Sequence, residues 1–123
     1  MRTFLLSSVL FGVLSGAALA GAPVSSFPSA SPALIAQLTP YGGAGFTDDQ
    51  ANQQVAQADQ LLHGMGYGTR AVRGAGAGGR VYRWYHQGTD TTVMAFVDRR
   101  DVGRELQFMV LPWRVVWNEL TGP

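Results

Sequence analysis

Two histidines and one aspartate have the side chains best suited to bind a metal. Asp59 and His63 stand four positions apart, which places both side chains on one face of a helix. His86 could supply a third ligand if the fold brought it near them, because one carboxylate and two imidazoles suit zinc and related metals. A metal-dependent enzyme is therefore one hypothesis. A surface Asp–His pair near the end of a helix explains Asp59 and His63 more simply.

The densest group of charges is the run Asp98-Arg99-Arg100-Asp101, with Arg104 and Glu105 behind it. Arginine forks can hold an anionic group or the carboxylates of a partner. The balanced charges are also typical of a solvated hairpin loop whose charges compensate one another, and we favour that interpretation.

Residues 74–79 formally match the glycine pattern G-x-G-x-x-G. In dinucleotide-binding proteins that pattern lies between a parallel strand and the N-terminus of a helix. Here the following residues, 80–85, alternate as a strand does. The glycines are therefore expected to form a hairpin loop, and we expect no cofactor.

The composition excludes several other chemistries. The chain has no cysteine and no lysine, so thiolate metal sites, disulfides, Schiff-base lysines and phosphate-loop lysines are ruled out. Beyond residue 20 its serines lie only in the Pro/Ser/Ala-rich stretch before residue 32, which is unsuited to a rigid serine nucleophile.

The first 20 residues have the layout of a secretory signal peptide. Arg2 precedes an apolar run, and small residues lead to an A-x-A site that ends at Ala20. We expect cleavage after Ala20, export to a periplasmic or extracellular location, and no membrane span in what remains. Without Arg2, eight arginines balance eight carboxylates. That neutrality argues against nucleic-acid binding.

The remainder reads as a flexible lead-in over residues 21–40 and a single domain over residues 41–123. Thr47 and Gln50 form a capping-box pattern that opens a helix over residues 47–64. Strands are predicted at residues 67–73, 80–87, 91–98 and 104–111. The short connections predict an antiparallel meander. Residues 113–120 have the spacing of a short terminal helix, although residues 115–117 also have strand propensity. The fold class is α+β: one amphipathic helix packed on three or four antiparallel strands.

The strand alternation predicts two different faces for this sheet. A two-residue turn at residues 88–89 pairs Trp84 with Val93, and pairing Phe96 with Leu106 extends the sheet. One face is then the core, and the other is rich in aromatic and polar side chains. Two interpretations of that second face stay open. Either the C-terminal segment with Trp113 and Trp117, or the stretch at residues 33–38, covers it, which we favour, or the face is a binding surface. Its candidate binding residues are Arg80, Tyr82, Trp84 and His86, with Arg99 and Arg100 on the adjoining loop.

These observations favour a small exported, non-catalytic binding protein whose partner is another protein or an envelope component. The alternatives are the metal-dependent enzyme built on Asp59, His63 and His86, and a structural protein of the envelope.

Overall fold

The structure, a computed structural model, describes residues 19–27 and 31–116. Within these residues, two helices and seven strands make up an α+β fold; the α+β class agrees with the sequence prediction, whereas the strands outnumber the predicted three or four. The helices are α1 (Pro32–Leu38) and α2 (Asp48–Gly64). The strands are β1 (Leu19–Ala20), β2 (Ser25–Ser26), β3 (Gly43–Phe46), β4 (Ala71–Gly74), β5 (Arg80–His86), β6 (Thr91–Arg99) and β7 (Arg104–Leu111). The predicted signal peptide lies outside the described residues except for Leu19 and Ala20.

The sheet is larger than the predicted meander and is mixed. Its strand order is β1-β3-β7-β6-β5-β4, and β2 adds a parallel pairing to β7. Strands β4 to β7 are the expected antiparallel part. The other three come from the N-terminal part of the chain: β3 pairs with the first half of β7 and β2 with the second half. Because β3 is the sequence Gly-Ala-Gly-Phe, its composition gave no strand signal.

Helix α2 confirms the predicted element in detail. The Thr47 side chain accepts from the Gln50 backbone N–H, and the Gln50 side chain accepts in return from the Thr47 N–H. The buried side chains of the helix are Ala51, Val55, Ala58 and Leu62. They lie on one stripe against the sheet. Fully burying a side chain such as Val55 or Leu62 contributes about 1.5–3 kcal/mol to the stability of the folded protein.

Helix α1 belongs to the same hydrophobic core. Ser31 caps its first turn by accepting from the Leu34 N–H, and Leu34 and Leu38 are buried among the core residues. A 3-10 turn at Thr39–Tyr41 then leads into β3. Residues 31–40, which the sequence assigned to the lead-in, therefore contribute to the packing of the domain.

The register between β6 and β7 corrects the predicted faces of the sheet. The β5–β6 pairing is as predicted, with Trp84 opposite Val93. In the next pairing Val97, rather than Phe96, lies opposite Leu106. Since successive side chains point to opposite faces, this one-residue difference moves Trp84 and its neighbours onto the face that packs with α2. The inner face consists of Tyr82, Trp84, Val93, Ala95, Val97, Leu106, Phe108 and Val110, all buried.

The opposite, outer face of the sheet carries the C-terminal segment, residues 112–116. The Thr92 hydroxyl donates to the Trp113 carbonyl at 2.7 Å, and the Val115 N–H donates back to the Thr92 hydroxyl at 3.3 Å. The Arg83 guanidinium donates to the Val115 carbonyl. Residues 113–116 are not helical, unlike the predicted terminal helix, whose remaining residues lie outside the described part. Among the described residues, no helix is long and apolar enough to cross a membrane.

Candidate functional site

A pocket of about 520 Å³ opens at the end of the sheet where β5 turns into β6. Its walls come from α1, the residues after α2, the β5–β6 turn and the end of β7. We call it the His86 pocket; its lining residues are Ser31, Leu34, Met65, Tyr67, His86, Thr89, Thr91, Val110, Leu111 and Pro112. The volume is typical of a site for a small organic molecule.

The walls of the pocket are positioned by the residues that end helix α2 and by those that connect β5 to β6. Helix α2 ends at Gly64, and Gly66 has a φ of 95°, so the chain reverses and brings Tyr67 back under the sheet. A 3-10 turn at Gln87–Thr89 and a left-handed Asp90 connect β5 to β6. This connection is longer than the predicted two-residue turn but keeps the predicted register. The two reversals bring Tyr67 beside His86.

His86 is held by a fixed hydrogen-bond arrangement. Its Nδ1 accepts from the Thr89 backbone N–H at 3.1 Å and lies 3.0 Å from the Thr89 hydroxyl. Because a backbone N–H can only donate, Nδ1 must be an acceptor, and the proton of the neutral ring is on Nε2. The Thr89 and Thr91 hydroxyls lie 2.9 Å apart and continue the polar wall.

The rings of Tyr67 and His86 pack against each other with centroids 5.0 Å apart and a tilt of 56°. Tyr67 is 6% exposed. Burial raises the pKa of its phenol, and a hydrogen bond with the Thr91 side chain only partly offsets that rise. The phenol is therefore protonated at neutral pH and remains a polar, uncharged part of the wall.

Two glycines leave room for the His86 ring. A Cβ at Gly66 would lie 3.0 Å from Nε2, and a Cβ at Gly88 would lie 3.0 Å from Cε1. Both separations are shorter than ordinary van der Waals contact, so larger residues would displace the ring. The missing side chains at Gly66 and Gly88 leave the space that the ring occupies, and the Nδ1–Thr89 hydrogen bond orients the ring in the pocket wall.

Asp59, His63 and His86 do not form the metal site considered from the sequence. Asp59 accepts a 2.8 Å hydrogen bond from the buried indole N–H of Trp84, whereas His63 is exposed in the last turn of α2. Within residues 19–27 and 31–116, no three His, Asp or Glu side chains gather closely enough to hold a metal ion.

The candidate binding residues on the sheet are largely inside the protein. Trp84 is 0% exposed and Tyr82 is 7% exposed, so neither lies on an open surface. Arg80 is half-buried beside them, donating to the Tyr82 hydroxyl at 2.9 Å and to the Asn52 side chain at 2.8 Å. Of the four sheet residues, His86 alone lines the pocket.

Arg99 and Arg100 lie at the far end of the hairpin that β6 and β7 form. Arg100 pairs with Glu105 and, at 3.6 Å, with Asp98. These contacts resemble the self-compensating loop that the sequence favoured. Neither arginine lines the His86 pocket.

Tyr67, Thr89 and Thr91 are pocket residues that the sequence did not suggest. Tyr67 was predicted to begin a strand, but β4 starts at Ala71. The available signal was Gly64 and Gly66 around the helix end, which predicts a reversal there. It does not indicate which side chain the reversed chain will meet.

No protein-family model, curated protein or solved structure matches this chain.

Proposed function

We propose that this chain is a small binding protein that holds a small molecule in the His86 pocket. The observation that carries the proposal is the division of the pocket into two kinds of wall. Leu34, Met65 and Val110 are apolar, whereas His86 and Thr91 belong to a hydrogen-bonded polar wall. An apolar cavity with a few fixed polar groups is the usual form of a small-molecule site.

The covering of the sheet also favours a ligand at its end over a partner on its faces. The inner face packs on α2, and the C-terminal segment is hydrogen-bonded across the outer face. The aromatic residues that suggested a protein partner, Tyr82 and Trp84, are buried. Of the candidate binding residues on the sheet, His86 is the one that lines the pocket.

Export is a second part of the proposal and rests on the sequence of residues 1–20. Their charged start, apolar run and A-x-A ending support secretion through a cleaved leader. Cleavage after Ala20 would remove β1, whose pairing is limited to Gly43 and Ala44 of β3. The pocket would keep all of its described walls, since β1 contributes none of them.

The test is a screen of small organic fragments by two-dimensional NMR of the isotopically labelled protein. We expect hits to shift the backbone signals of pocket residues such as Tyr67, His86 and Thr91. Met65→Trp should reduce those shifts, because Met65 is a half-buried wall residue and the larger indole would narrow the cavity.

Val72→Trp is the matched control. Val72 is 53% exposed on β4 and lies outside the pocket, so the same added indole should leave fragment binding unchanged. Hits that bind a folded Met65→Trp protein with unchanged affinity, or that cluster away from the pocket, would rule out the His86 pocket as the binding site.

A further inference from the structure

The described lining of the His86 pocket carries no carboxylate and no guanidinium. Its ten residues include no Asp, Glu or Arg, although the chain has eight carboxylates and nine arginines. Taking an ion out of water without an opposite charge is strongly unfavourable. The lining therefore disfavours both anionic and cationic ligands.

The polar wall uses most of its hydrogen-bonding capacity internally. Nδ1 of His86 is bonded to Thr89, and the hydroxyls of Thr89 and Thr91 are bonded to each other. Within residues 19–27 and 31–116, no group bonds to Nε2 of His86, which carries the proton of the neutral ring. The wall thus presents one fixed N–H donor without a protein acceptor.

The remaining wall is apolar and comes from three separate elements. Leu34 of α1, Met65 after α2 and Val110 of β7 face the same cavity as the imidazole. An apolar ligand body would bury its surface against them at about 25 cal/mol per Å². Methionine adapts its shape to ligands readily, so this wall restricts the polarity of the ligand more strictly than the shape of the ligand.

We propose that the His86 pocket selects an uncharged molecule with an apolar body and one carbonyl-type acceptor, which receives the Nε2 proton of His86. This inference rests on the proposed function, because it specifies the chemical class of the ligand for that same pocket. The hydrogen bond from Thr89 to Nδ1 holds the ring, so that the Nε2 donor is oriented before the ligand arrives.

Four phenyl compounds of nearly equal size test the proposal. Acetophenone is neutral with one acceptor, ethylbenzene is neutral with none, benzoate is anionic and benzamidine is cationic. Dissociation constants are measured by NMR titration of the protein. We expect acetophenone to bind about fivefold more tightly than ethylbenzene, the value of one neutral hydrogen bond. It should bind at least about tenfold more tightly than either ion, because each ion would lose its hydration without gaining a counter-charge.

His86→Asn isolates the role of Nε2. The asparagine carbonyl can keep the acceptor that Thr89 uses, but the variant has no group at the position of Nε2. The acetophenone preference over ethylbenzene should therefore disappear. His63→Asn is the matched control, since His63 is exposed outside the pocket, and it should preserve the preference.

The outcomes separate this inference from the proposed function. Equal binding of acetophenone and ethylbenzene would overturn the inference that the ligand carries an acceptor for Nε2. Tightest binding of benzoate or benzamidine would overturn the inference that the ligand is uncharged. Both results would still leave a small-molecule pocket. If fragments of other chemistry bind in the pocket and these four do not, the inferred ligand class is wrong. If nothing binds there, the proposed function fails as well. The comparison among the four probes uses the unaltered protein, so it does not depend on the folding of a variant.

Discussion

Replacing Trp84 with alanine should destabilise the protein severely. The side chain is 0% exposed, lies on the inner face of the sheet under α2, and donates its indole N–H to Asp59 at 2.8 Å. Truncating a buried tryptophan to alanine costs about 3–5 kcal/mol. Since small domains have a total stability of about 5–15 kcal/mol, the variant should lose a large fraction of its free energy of unfolding.

The indole contributes through both packing and hydrogen bonding, and two further variants separate these effects. Trp84→Phe keeps an aromatic ring in the core but removes the donor, and Asp59→Ala removes the acceptor. In a double-mutant cycle the two changes should couple by about 1–2 kcal/mol, as expected for a hydrogen bond to a carboxylate that is partly exposed. Urea unfolding followed by far-UV circular dichroism measures each free energy without relying on tryptophan fluorescence.

Trp113→Ala is the control for loss of an indole at the surface. Trp113 is 46% exposed and meets Phe27 edge-to-face at 4.8 Å, so its truncation should cost less than about 1.5 kcal/mol. If Trp84→Ala and Trp113→Ala have equal, small effects, Trp84 is not a core residue. The register derived for β6 and β7 would then be refuted, and an exposed aromatic face would again be the favoured binding surface.

Two further changes test the backbone geometry and the buried phenol. Gly103→Ala should lower the free energy of unfolding by more than about 2 kcal/mol, because φ is 72° and the added Cβ would lie 2.6 Å from the Phe46 carbonyl oxygen. Gly76 has a φ of 75° but open space around it, so Gly76→Ala should cost only about 1 kcal/mol. Equal losses of stability in urea unfolding would contradict the predicted clash at Gly103. Tyr67 has a pKa raised above 10.0 in the folded protein, so its contribution to stability is present below pH 10 and is lost as the pH rises further. A Tyr67→Phe protein should therefore lose less stability at alkaline pH than the unaltered protein. Identical profiles of stability against pH for the two proteins would contradict this effect.

Helix α2 was predictable because several local signals agree in its sequence. Thr47 and Gln50 specify the start, two aspartates favour the first turn, and the apolar residues recur at helical spacing. Each signal involves residues close together in the chain, so no tertiary information is needed. Strands β5 and β7 were also predicted within one residue at either end, for the same reason.

The inner face of the sheet was not predictable, because β6 is apolar on both sides. Residues Val93 to Val97 form an uninterrupted apolar run, which fits either register with β7 equally well. The choice is made in the loop before β7, where the Arg100 N–H donates to the Gly103 carbonyl and Gly103 has a positive φ. That turn pairs Arg99 with Arg104 and thereby fixes every later pair.

The apolar character of β6 also explains why the candidate site lies at the end of the sheet. A central strand that is apolar on both sides needs cover on both faces: α2 supplies one cover, and the C-terminal segment, bonded to Thr92, lies on the other. These covering elements bury residues that the sequence suggests as binding residues, such as Trp84, which is hydrogen-bonded to Asp59. The described pocket accordingly lies where a strand turns and a helix ends. His86 stands at such a position, and its neighbours come from separate parts of the chain. Sequence spacing could therefore identify the imidazole but not the pocket around it.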